Sequence, residues 1–367
     1  MAAPSKSSCT EQHVANQIKI SVLASLRPAT DLVLPTWRIG TRWRLQPIAE
    51  NILSKHLTAR GANVQRPMQG LRHILEQAPN GVAVGHFNVS DLVLLKAVFA
   101  AAHELNVPVI VGASKGERDF LGVRQIANLV RSLREEFDFP IFLNADHTHS
   151  LTDAIKSAKA GFDAIVFDVS SLPLEKNIRQ TKEAVEALKA INSTILVEGE
   201  IGDIGTGSEI HEEAFNVSRF TTPAEAKEYV DSTRIDILAP AVGNMHGMLK
   251  SMVTGELKKR LDIERIAQIK SATQVPLTLH GGSGTDDDDL RKAIAAGINI
   301  VHINTELRVA WRHGMEEGLT QQPNEVVPYK ILPFAVELVK QVVRSRLKLF
   351  NFGVDPMSAL PRTNKED

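Results

Sequence analysis

The chain has 367 residues, 43% of them hydrophobic, and a formal net charge of -1, which gives no reason to expect nucleic acid or an anionic membrane as a partner. Its single cysteine, Cys9, excludes a fold held by disulfides and favours a reducing compartment such as the cytoplasm. No apolar run approaches the roughly 20 residues that cross a bilayer.

The two ends of the chain differ from its middle in composition. Residues 1–67 contain nine Lys/Arg and only three acidic residues. This basic segment is expected to be a disordered extension, an upstream stretch that is not made in the cell, or an organellar transit peptide. Residues 352–367 are expected to form a polar tail, which leaves residues 68–351 as one folded domain.

From Met68 onward, apolar or β-branched runs alternate with helix-like segments. Continuous apolar runs are typical of parallel strands buried on both faces. Eight such strands alternating with helices predict an α/β fold of the (β/α)8 TIM barrel type, and the segment MQGLRHILEQA is expected to close its bottom. An open doubly wound sheet is the alternative, but the turn GHFNVSD lacks the Gly-rich pattern of that fold. The runs are 81–88, 108–114, 140–147, 163–170, 194–202, 236–247, 276–284 and 299–307.

Polar side chains fall where these predicted strands end, the edge at which TIM barrels place their active sites. Asp146 and His147 end the third run, and His246 and His280 lie at the ends of the sixth and seventh. Three neutral imidazoles with an open fourth position are typical of a catalytic zinc site. The sequence therefore predicts that His147, His246 and His280 hold one metal ion beside Asp146.

Other ionisable residues on these strands have more than one interpretation. Asp168 and Glu200 are expected to orient the ligand imidazoles or to bind the metal in another state. Asp168 could instead cap the helix that begins near Pro173, and Glu198 could form an ion pair inside the barrel. The remaining histidines of the region are not expected to be ligands: His86 in the core, His149 and His211 in loops.

Three further segments bear on chemistry. HGGSG (280–284) precedes a helix-like segment, so its backbone N–H groups and the helix N-terminus favour phosphate. DDDD (286–289) is expected to be the solvated first turn of that helix. Residues 203–220 are long for a connecting loop and predict either a mobile lid or a plain surface insertion.

The predicted strands contain no lysine, which argues against catalysis through a covalent imine. A metal ion that stabilises an enediolate would do the same work. The order of the motifs FNV, DH, VEGEIGDIG, GNMHG, LHGGSG and NTEL, between Met68 and Asn351, resembles that of the class II, metal-dependent ketose-bisphosphate aldolases.

The resemblance implies roles for individual residues. His147, His246 and His280 would bind Zn²⁺, and Asp146 would shuttle the proton of the C4 hydroxyl as the C3–C4 bond breaks or forms. Glu209 is the nearest candidate for the glutamate that takes the C3 proton of the triose. The second acidic positions near the metal are matched by Asp168 and Glu200, the phosphate site by Gly247, Gly281, Gly282 and Ser283, and the other substrate contacts by Ser114, Asn304, Thr305 and Arg308.

The resemblance also implies a monovalent cation such as Na⁺ or K⁺ at the phosphate site, and a homodimer or homotetramer. The chain departs from the family pattern at four positions. His302 stands where the family usually has Asn, and either donates to substrate, the interpretation favoured here, or is a fourth metal neighbour. Ile300 and Asn304 replace a common Lys and Asp. Ser208 precedes Glu209 in the predicted lid, so the alignment of this loop with the family could shift by one residue.

The departures leave the sugar open. Reversible cleavage of fructose 1,6-bisphosphate to dihydroxyacetone phosphate and glyceraldehyde 3-phosphate is the favoured hypothesis. Tagatose 1,6-bisphosphate or another phosphorylated ketose is the alternative substrate. A non-catalytic sugar-phosphate-binding barrel and a metal-dependent hydrolase are the alternatives from other classes.

Overall fold

In a computed structural model, residues 70–205, 207, 209–212 and 220–351 are described. The expectations for residues 1–67 and 352–367, and for Ser208, lie outside these ranges. The described strands are β1 (Val84–Asn88), β2 (Val109–Ala113), β3 (Ile141–Thr148), β4 (Ala164–Phe167), β5 (Leu196–Ile201), β6 (Ile210–His211), β7 (Ile237–Pro240), β8 (Met248–Leu249), β9 (Leu277–Leu279) and β10 (Ile298–Ile303).

The helices of the described residues alternate with these strands. They are α1 (Leu71–Gln77), α2 (Leu92–Leu105), α3 (Lys115–Leu121), α4 (Val123–Phe137), α5 (Leu151–Ala160), α6 (Leu174–Ile191), α7 (Pro223–Thr233), α8 (Lys250–Val253), α9 (Ile263–Thr273), α10 (Asp287–Ala295), α11 (Thr305–Gln321), α12 (Pro328–Ile331) and α13 (Pro333–Phe350).

Eight parallel strands close into a barrel in the order β1-β10-β9-β7-β5-β4-β3-β2. The predicted TIM barrel is confirmed, and each barrel strand lies largely within one of the eight predicted runs. The strands read as continuous apolar runs because both of their faces are buried, one by the barrel interior and one by the surrounding helices. The short strands β6 and β8 form a separate two-stranded parallel sheet that is not part of the barrel.

Helix α1 closes the bottom of the barrel, as predicted. Leu71, Ile74 and Leu75 are its buried residues. They belong to one apolar cluster with residues of seven barrel strands: Val84, Ile110, Phe142, Ala164, Leu196, Ile237 and Ile300. This packing removes water from one end of the barrel, so that polar chemistry is confined to the other end.

Local capping signals fix where several helices begin. The Asp91 carboxylate accepts from the backbone N–H of Leu94, and Thr222 forms a capping box with Glu225. Asp286 accepts from the N–H groups of two following aspartates, which confirms that the acidic run is the first turn of α10. No described helix is long and apolar enough to cross a membrane.

Strand β3 contains an irregularity that positions the site. Its register with β4 shifts between Ala145 and Thr148. His147 within this shift has a φ of 39°, a left-handed value that is uncommon for a residue with a side chain. A bulge of this kind re-aims side chains at the edge of a barrel, and here it brings two consecutive residues, Asp146 and His147, to one site.

Candidate active site

Three histidines from distant parts of the chain converge at the carboxyl ends of the strands. His147 belongs to β3, His246 follows β7 and His280 follows β9. Each offers a ring nitrogen within 4.8 Å of those of the other two. The ring centroids of His147 lie 4.6 Å from those of His246 and 4.8 Å from those of His280. The geometry therefore brings together the three residues that the sequence singled out as metal ligands.

Two of these imidazoles are oriented by a hydrogen bond at Nδ1. His147 Nδ1 lies 2.8 Å from Asp168 Oδ2, and His246 Nδ1 lies 2.8 Å from the carbonyl oxygen of Gly205. Metal-binding histidines usually use their second ring nitrogen in this way, which leaves Nε2 for the ion. Burial lowers the pKa of His246 to about 3, so this ring is neutral at pH 7.

His280 lies between two carboxylates. Its Nδ1 is 2.8 Å from Glu200 Oε2 and its Nε2 is 2.7 Å from Glu198 Oε1. Burial acts to lower the pKa of His280, but these two carboxylates outweigh it and raise the pKa well above its usual value. Glu198 thus makes the internal pair that the sequence allowed, and a metal ion at His280 would displace one of the two carboxylates.

The alternative that Asp168 caps the following helix is wrong. Asp168 Oδ1 accepts from the backbone N–H and the hydroxyl of Ser170, at 3.0 and 2.7 Å. Helix α6 begins after Pro173 without a side-chain cap. Burial opposes ionisation of Asp168, but the bond to His147 prevails and holds the pKa of the carboxyl well below its usual range. Asp168 is therefore an ionised partner of His147.

Asp146 is a buried carboxylate held on one side only. Asn88 Nδ2 donates to its Oδ2 at 2.8 Å, and Arg118 donates to its backbone oxygen at 2.8 Å. Its Oδ1 has no hydrogen-bond partner among the described residues, although His302 Nδ1 lies 3.4 Å away and His147 Nε2 3.8 Å away. Burial disfavours the charge, yet the neighbouring imidazoles hold the pKa of Asp146 well below its usual range. The free oxygen is placed to accept a proton.

His302 stacks on His86 inside the barrel. Their ring centroids are 3.4 Å apart and the planes differ by 3°. Burial lowers the pKa of His302 well below its usual value and that of His86 to about 4, so both rings are neutral. His86 was predicted to lie in the core, but its pairing with His302 was not predicted, because two residues 216 positions apart share no pattern in the sequence.

A small cavity of about 20 Å³ adjoins the histidines on the side of the glycine loops. Gly282, a predicted phosphate-site residue, does not line this cavity. Its N–H donates to the carbonyl oxygen of His302 in β10 at 3.0 Å. A Cβ atom on Gly281, whose φ is 62°, would lie 2.1 Å from the carbonyl oxygen of Met245, so only glycine fits there. The predicted residues that line the cavity are Asp146, His147, His246, Gly247, Gly281, Ser283, His302, Asn304 and Thr305.

A larger cavity of about 270 Å³ also reaches the histidines. Among the predicted residues on its walls, Ser114 is the N-cap of α3 and Glu209 is exposed. Arg308 Nη2 donates to Glu117 Oε1 at 2.9 Å. Glu117 in turn accepts from Asn88 at 2.9 Å. The predicted residues on the walls are Ser114, Asp146, His147, Asp168, Glu209, His246, Asn304 and Arg308.

Three residues of this site were missed by the sequence analysis. Asn88 ends β1 at the same edge as the other site residues, and that position was the signal that could have found it. Glu117 looks like an ordinary capping-box residue. Lys259 Nζ contacts four backbone carbonyl oxygens around the small cavity, but its surroundings, GELKKRLD, look like a charged turn.

The donor set fits a zinc ion. Three imidazoles converge, and two of them are hydrogen-bonded at Nδ1, which leaves their Nε2 available to a metal. Asp146 keeps one oxygen without a partner among the described residues. Imidazole nitrogen is a preferred ligand of Zn²⁺, while Mg²⁺ and Ca²⁺ prefer oxygen. The arrangement can therefore provide a Lewis acid beside an ionised carboxylate.

The amino-acid sequence is similar to those of known fructose-bisphosphate aldolases. The family model described as fructose-bisphosphate aldolase class-II matches residues 69–353. A probable fructose-bisphosphate aldolase of Bacillus subtilis (strain 168) is 33% identical over 288 residues, covering 77% of this chain and 98% of that protein. A fructose-bisphosphate aldolase of Geobacillus stearothermophilus is 34% identical over 284 residues, covering 76% and 96%.

A solved structure shows the same fold. The crystal structure of the YdjI aldolase from Escherichia coli K12 is similar with a TM-score of 0.64 and 27% sequence identity. The likeness covers 78% of this chain and 98% of that one.

Proposed function

The chain belongs to the class II fructose-bisphosphate aldolase family and is a lyase of ketose bisphosphates, and on this premise we propose that it is a zinc enzyme whose substrate is fructose 1,6-bisphosphate. The observation that carries the proposal is the convergence of His147, His246 and His280 beside the free oxygen of Asp146. The products would be dihydroxyacetone phosphate and glyceraldehyde 3-phosphate.

The metal and its ligands have distinct tasks in this proposal. Zn²⁺ supplies the Lewis acid that polarises a carbonyl group and offsets the negative charge that develops on its oxygen. His147, His246 and His280 hold the ion. Asp168 and Glu200 keep two of these imidazoles oriented through bonds of 2.8 Å each, and would bind the metal if it moved toward them.

Asp146 moves the proton at C4. In the cleavage direction its carboxylate takes the proton of the C4 hydroxyl, that carbon becomes the aldehyde, and the electron pair of the C3–C4 bond stays with the triose fragment. The Oδ1 atom of Asp146, which has no hydrogen-bond partner among the described residues, is the atom placed to act as the base. Asn88 holds the other carboxylate oxygen, and His302 is a donor at the edge of the same cavity.

Glu209 is the proposed proton carrier at C3. It lies on the wall of the larger cavity, and its backbone oxygen accepts from Met248 N–H at 2.9 Å. In cleavage it returns a proton to C3 of the triose, and in synthesis it removes that proton. Its exposure is consistent with a residue of a loop that closes over substrate.

The remaining predicted residues would bind the substrate. Gly247, Gly281 and Ser283 border the small cavity next to the N-terminus of α11, a place where backbone N–H groups favour a phosphate. Gly282 does not line this cavity, and its N–H is bonded to the carbonyl oxygen of His302. Ser114 and Arg308 lie on the wall of the larger cavity. At the start of α11, Asn304 lines both cavities and Thr305 lines the small one.

The substrate is tested by measuring cleavage of three sugars in parallel. We expect kcat/KM to be highest for fructose 1,6-bisphosphate, lower for its C4 epimer tagatose 1,6-bisphosphate, and lowest for fructose 1-phosphate, which lacks the second phosphate. The departures at His302 and Asn304 favour tagatose 1,6-bisphosphate as the second candidate. A higher kcat/KM for that sugar would replace the proposed substrate, and no cleavage of any of them would favour a non-catalytic barrel.

Zinc binding is expected to release about two protons at pH 7. Burial acts to lower the pKa of His147, but Asp146 and Asp168 raise it to about 9, and the two carboxylates beside His280 hold the pKa of that ring well above its usual value. Both rings are therefore protonated at pH 7 in the metal-free protein, and both must lose a proton to bind a metal. His246 is already neutral.

The affinity for zinc is expected to depend on pH, because His147 and His280 must lose protons to bind it. Apparent zinc affinity rises with pH below about 9, and metal is lost as the pH falls. Isothermal titration calorimetry of the metal-free protein in two buffers of different ionisation enthalpy counts the protons. Zinc uptake without proton release would contradict the assignment of His147 and His280 as ligands.

We propose that the protein is a homodimer or homotetramer in the cytoplasm. The resemblance supports a homodimer or homotetramer, and a monomer by light scattering would contradict it. The single cysteine supports the cytoplasm as the compartment.

A further inference from the structure

Lys259 is a buried lysine in the turn between α8 and α9. It is 4% exposed, whereas its neighbour Lys258 is exposed. Its backbone is fixed to the loop after β9: its N–H donates to Gly284 O at 3.0 Å, and its carbonyl accepts from Asp286 N–H at 3.2 Å. The backbone thus directs the side chain under the glycine loops rather than into solvent.

The ammonium group of Lys259 lies among four backbone carbonyl oxygens. Nζ is 2.7 Å from Met245 O, 2.6 Å from Gly247 O, 2.9 Å from Gly281 O and 2.6 Å from Ser283 O. No carboxylate of the described residues forms an ion pair with it. The direct contacts of the ammonium are therefore backbone dipoles, which leave its net charge in place, and Glu306 acts on it only at a distance.

Two loops supply these oxygens, and both belong to the proposed site. One carries His246 between two of the carbonyls, and the other follows His280. Gly247 and Gly281 have φ values of 71° and 62°, which turn their peptide planes in a way that residues with side chains rarely adopt. Gly247, Gly281 and Ser283 line the small cavity. The ammonium thus holds together the two loops on which the phosphate site is built.

The protonated state is favoured by the acceptors. Burial lowers the pKa of Lys259 to about 7, and the charge of Glu306 opposes that shift. A neutral amine among four carbonyl oxygens would direct its lone pair at an acceptor, whereas an ammonium offers three donors. The same arrangement argues against imine chemistry, because Nζ is engaged by the backbone and Lys259 lines neither cavity.

Rings of backbone carbonyl oxygens are how proteins hold a desolvated K⁺ or Na⁺ ion. Here the centre of such a ring is taken by Lys259, so the residues of this chain do not fit the monovalent cation that the family resemblance implied. We propose that Lys259 is a built-in cation of the phosphate-binding site, which orders the two glycine loops and attracts the substrate phosphate without Na⁺ or K⁺. This inference rests on the proposed function only in assigning the phosphate to these loops.

The test compares salts at constant ionic strength. The wild-type protein, Lys259→Ala and the control Lys258→Ala are titrated with inorganic phosphate, by calorimetry, in KCl, NaCl and tetramethylammonium chloride. The KM and kcat for fructose 1,6-bisphosphate are measured in the same salts. Lys258→Ala removes the same charge from the neighbouring exposed position, so it controls for a general electrostatic effect.

We expect the wild-type protein and Lys258→Ala to bind phosphate equally in all three salts. Lys259→Ala should bind phosphate at least about tenfold more weakly in tetramethylammonium chloride, because a charged, hydrogen-bonded group is lost. The KM of Lys259→Ala for fructose 1,6-bisphosphate should rise in the same salt. K⁺ is small enough to enter the vacated carbonyl ring, so KCl should restore most of the phosphate affinity and reverse most of the rise in KM. Tetramethylammonium is too large to do so.

Two results would overturn the inference. One is a wild-type protein whose phosphate affinity rises with K⁺. This measurement needs only the wild-type protein, so it tests the inference even if Lys259→Ala fails to fold. The other is a folded Lys259→Ala whose phosphate affinity is equally weak in every salt, which would mean that Lys259 only supports the loops. A wild-type protein that cleaves the sugar but requires K⁺ would remove this inference and leave the proposed function intact.

Discussion

Replacing Asp146 with alanine is expected to lower kcat for aldol cleavage by about 10³-fold, since a positioned general base contributes about 10²–10⁴-fold. The carboxylate is 4% exposed, ionised, and has one oxygen without a hydrogen-bond partner among the described residues. Zinc content should be unchanged, because the three imidazoles do not depend on Asp146 for their hydrogen bonds. A coupled assay for dihydroxyacetone phosphate and metal analysis of the same samples measure both quantities.

A second measurement separates the two proposed proton carriers. Exchange of the C3 proton of dihydroxyacetone phosphate with deuterium in the solvent, followed by NMR, needs a base at C3 but no step at C4. Asp146→Ala should retain this exchange, while Glu209→Ala should lose it. Glu212→Ala is the matched control for Glu209, since Glu212 lies on the same segment and is 74% exposed. Loss of exchange in Asp146→Ala would show that Asp146 acts on more than the C4 hydroxyl.

Replacing His246 with alanine is expected to lower zinc affinity by more than about 100-fold. Loss of an outer hydrogen-bond partner of a ligand already costs about 10–100-fold in metal affinity, and loss of the ligand itself should cost more. Cleavage activity should fall with the bound metal, by an amount comparable to exhaustive chelation of the wild-type enzyme. Adding excess Zn²⁺ to the chelated wild type should restore activity, and adding it to the variant should not.

His149→Ala is the matched control. His149 follows the same strand as His147, but its side chain is 57% exposed, and its Nδ1 lies 2.9 Å from the backbone oxygen and 3.7 Å from Oδ2 of Asp168. Its zinc content should equal that of the wild type. Stoichiometric zinc in His246→Ala, in a protein whose circular dichroism and melting temperature match the wild type, would rule out the three-histidine site.

The barrel and the histidine triad were predictable from the sequence because each depends on local signals. An apolar run buried on both faces marks a strand, and a polar residue directly after it marks the active edge of a TIM barrel. His147, His246 and His280 each follow this rule independently, so their convergence required only that the eight strands close. The acidic run 286–289 was also predicted correctly to begin α10, since it is a local capping signal.

The tertiary structure alone decided which side chains pair across the site. Asn88, Glu117 and Arg308 form one chain of hydrogen bonds, although the last two are 191 positions apart. His86 and His302 stack because β1 and β10 are adjacent in the closed barrel, with these residues as register partners. Strand neighbours that come from opposite ends of the domain leave no spacing pattern in the sequence.

The fold, the edge of the barrel that carries the chemistry and the candidate ligands could all be predicted from the amino-acid sequence. The electrostatic state of those groups could not, because burial and the distance to a partner set each pKa, and both depend on how the chain packs. His280 is protonated because two carboxylates face it, and His246 is neutral because burial disfavours its charge. Lys259 is the clearest case: in the sequence it is one lysine of a charged turn, and only packing places its ammonium among four carbonyl oxygens.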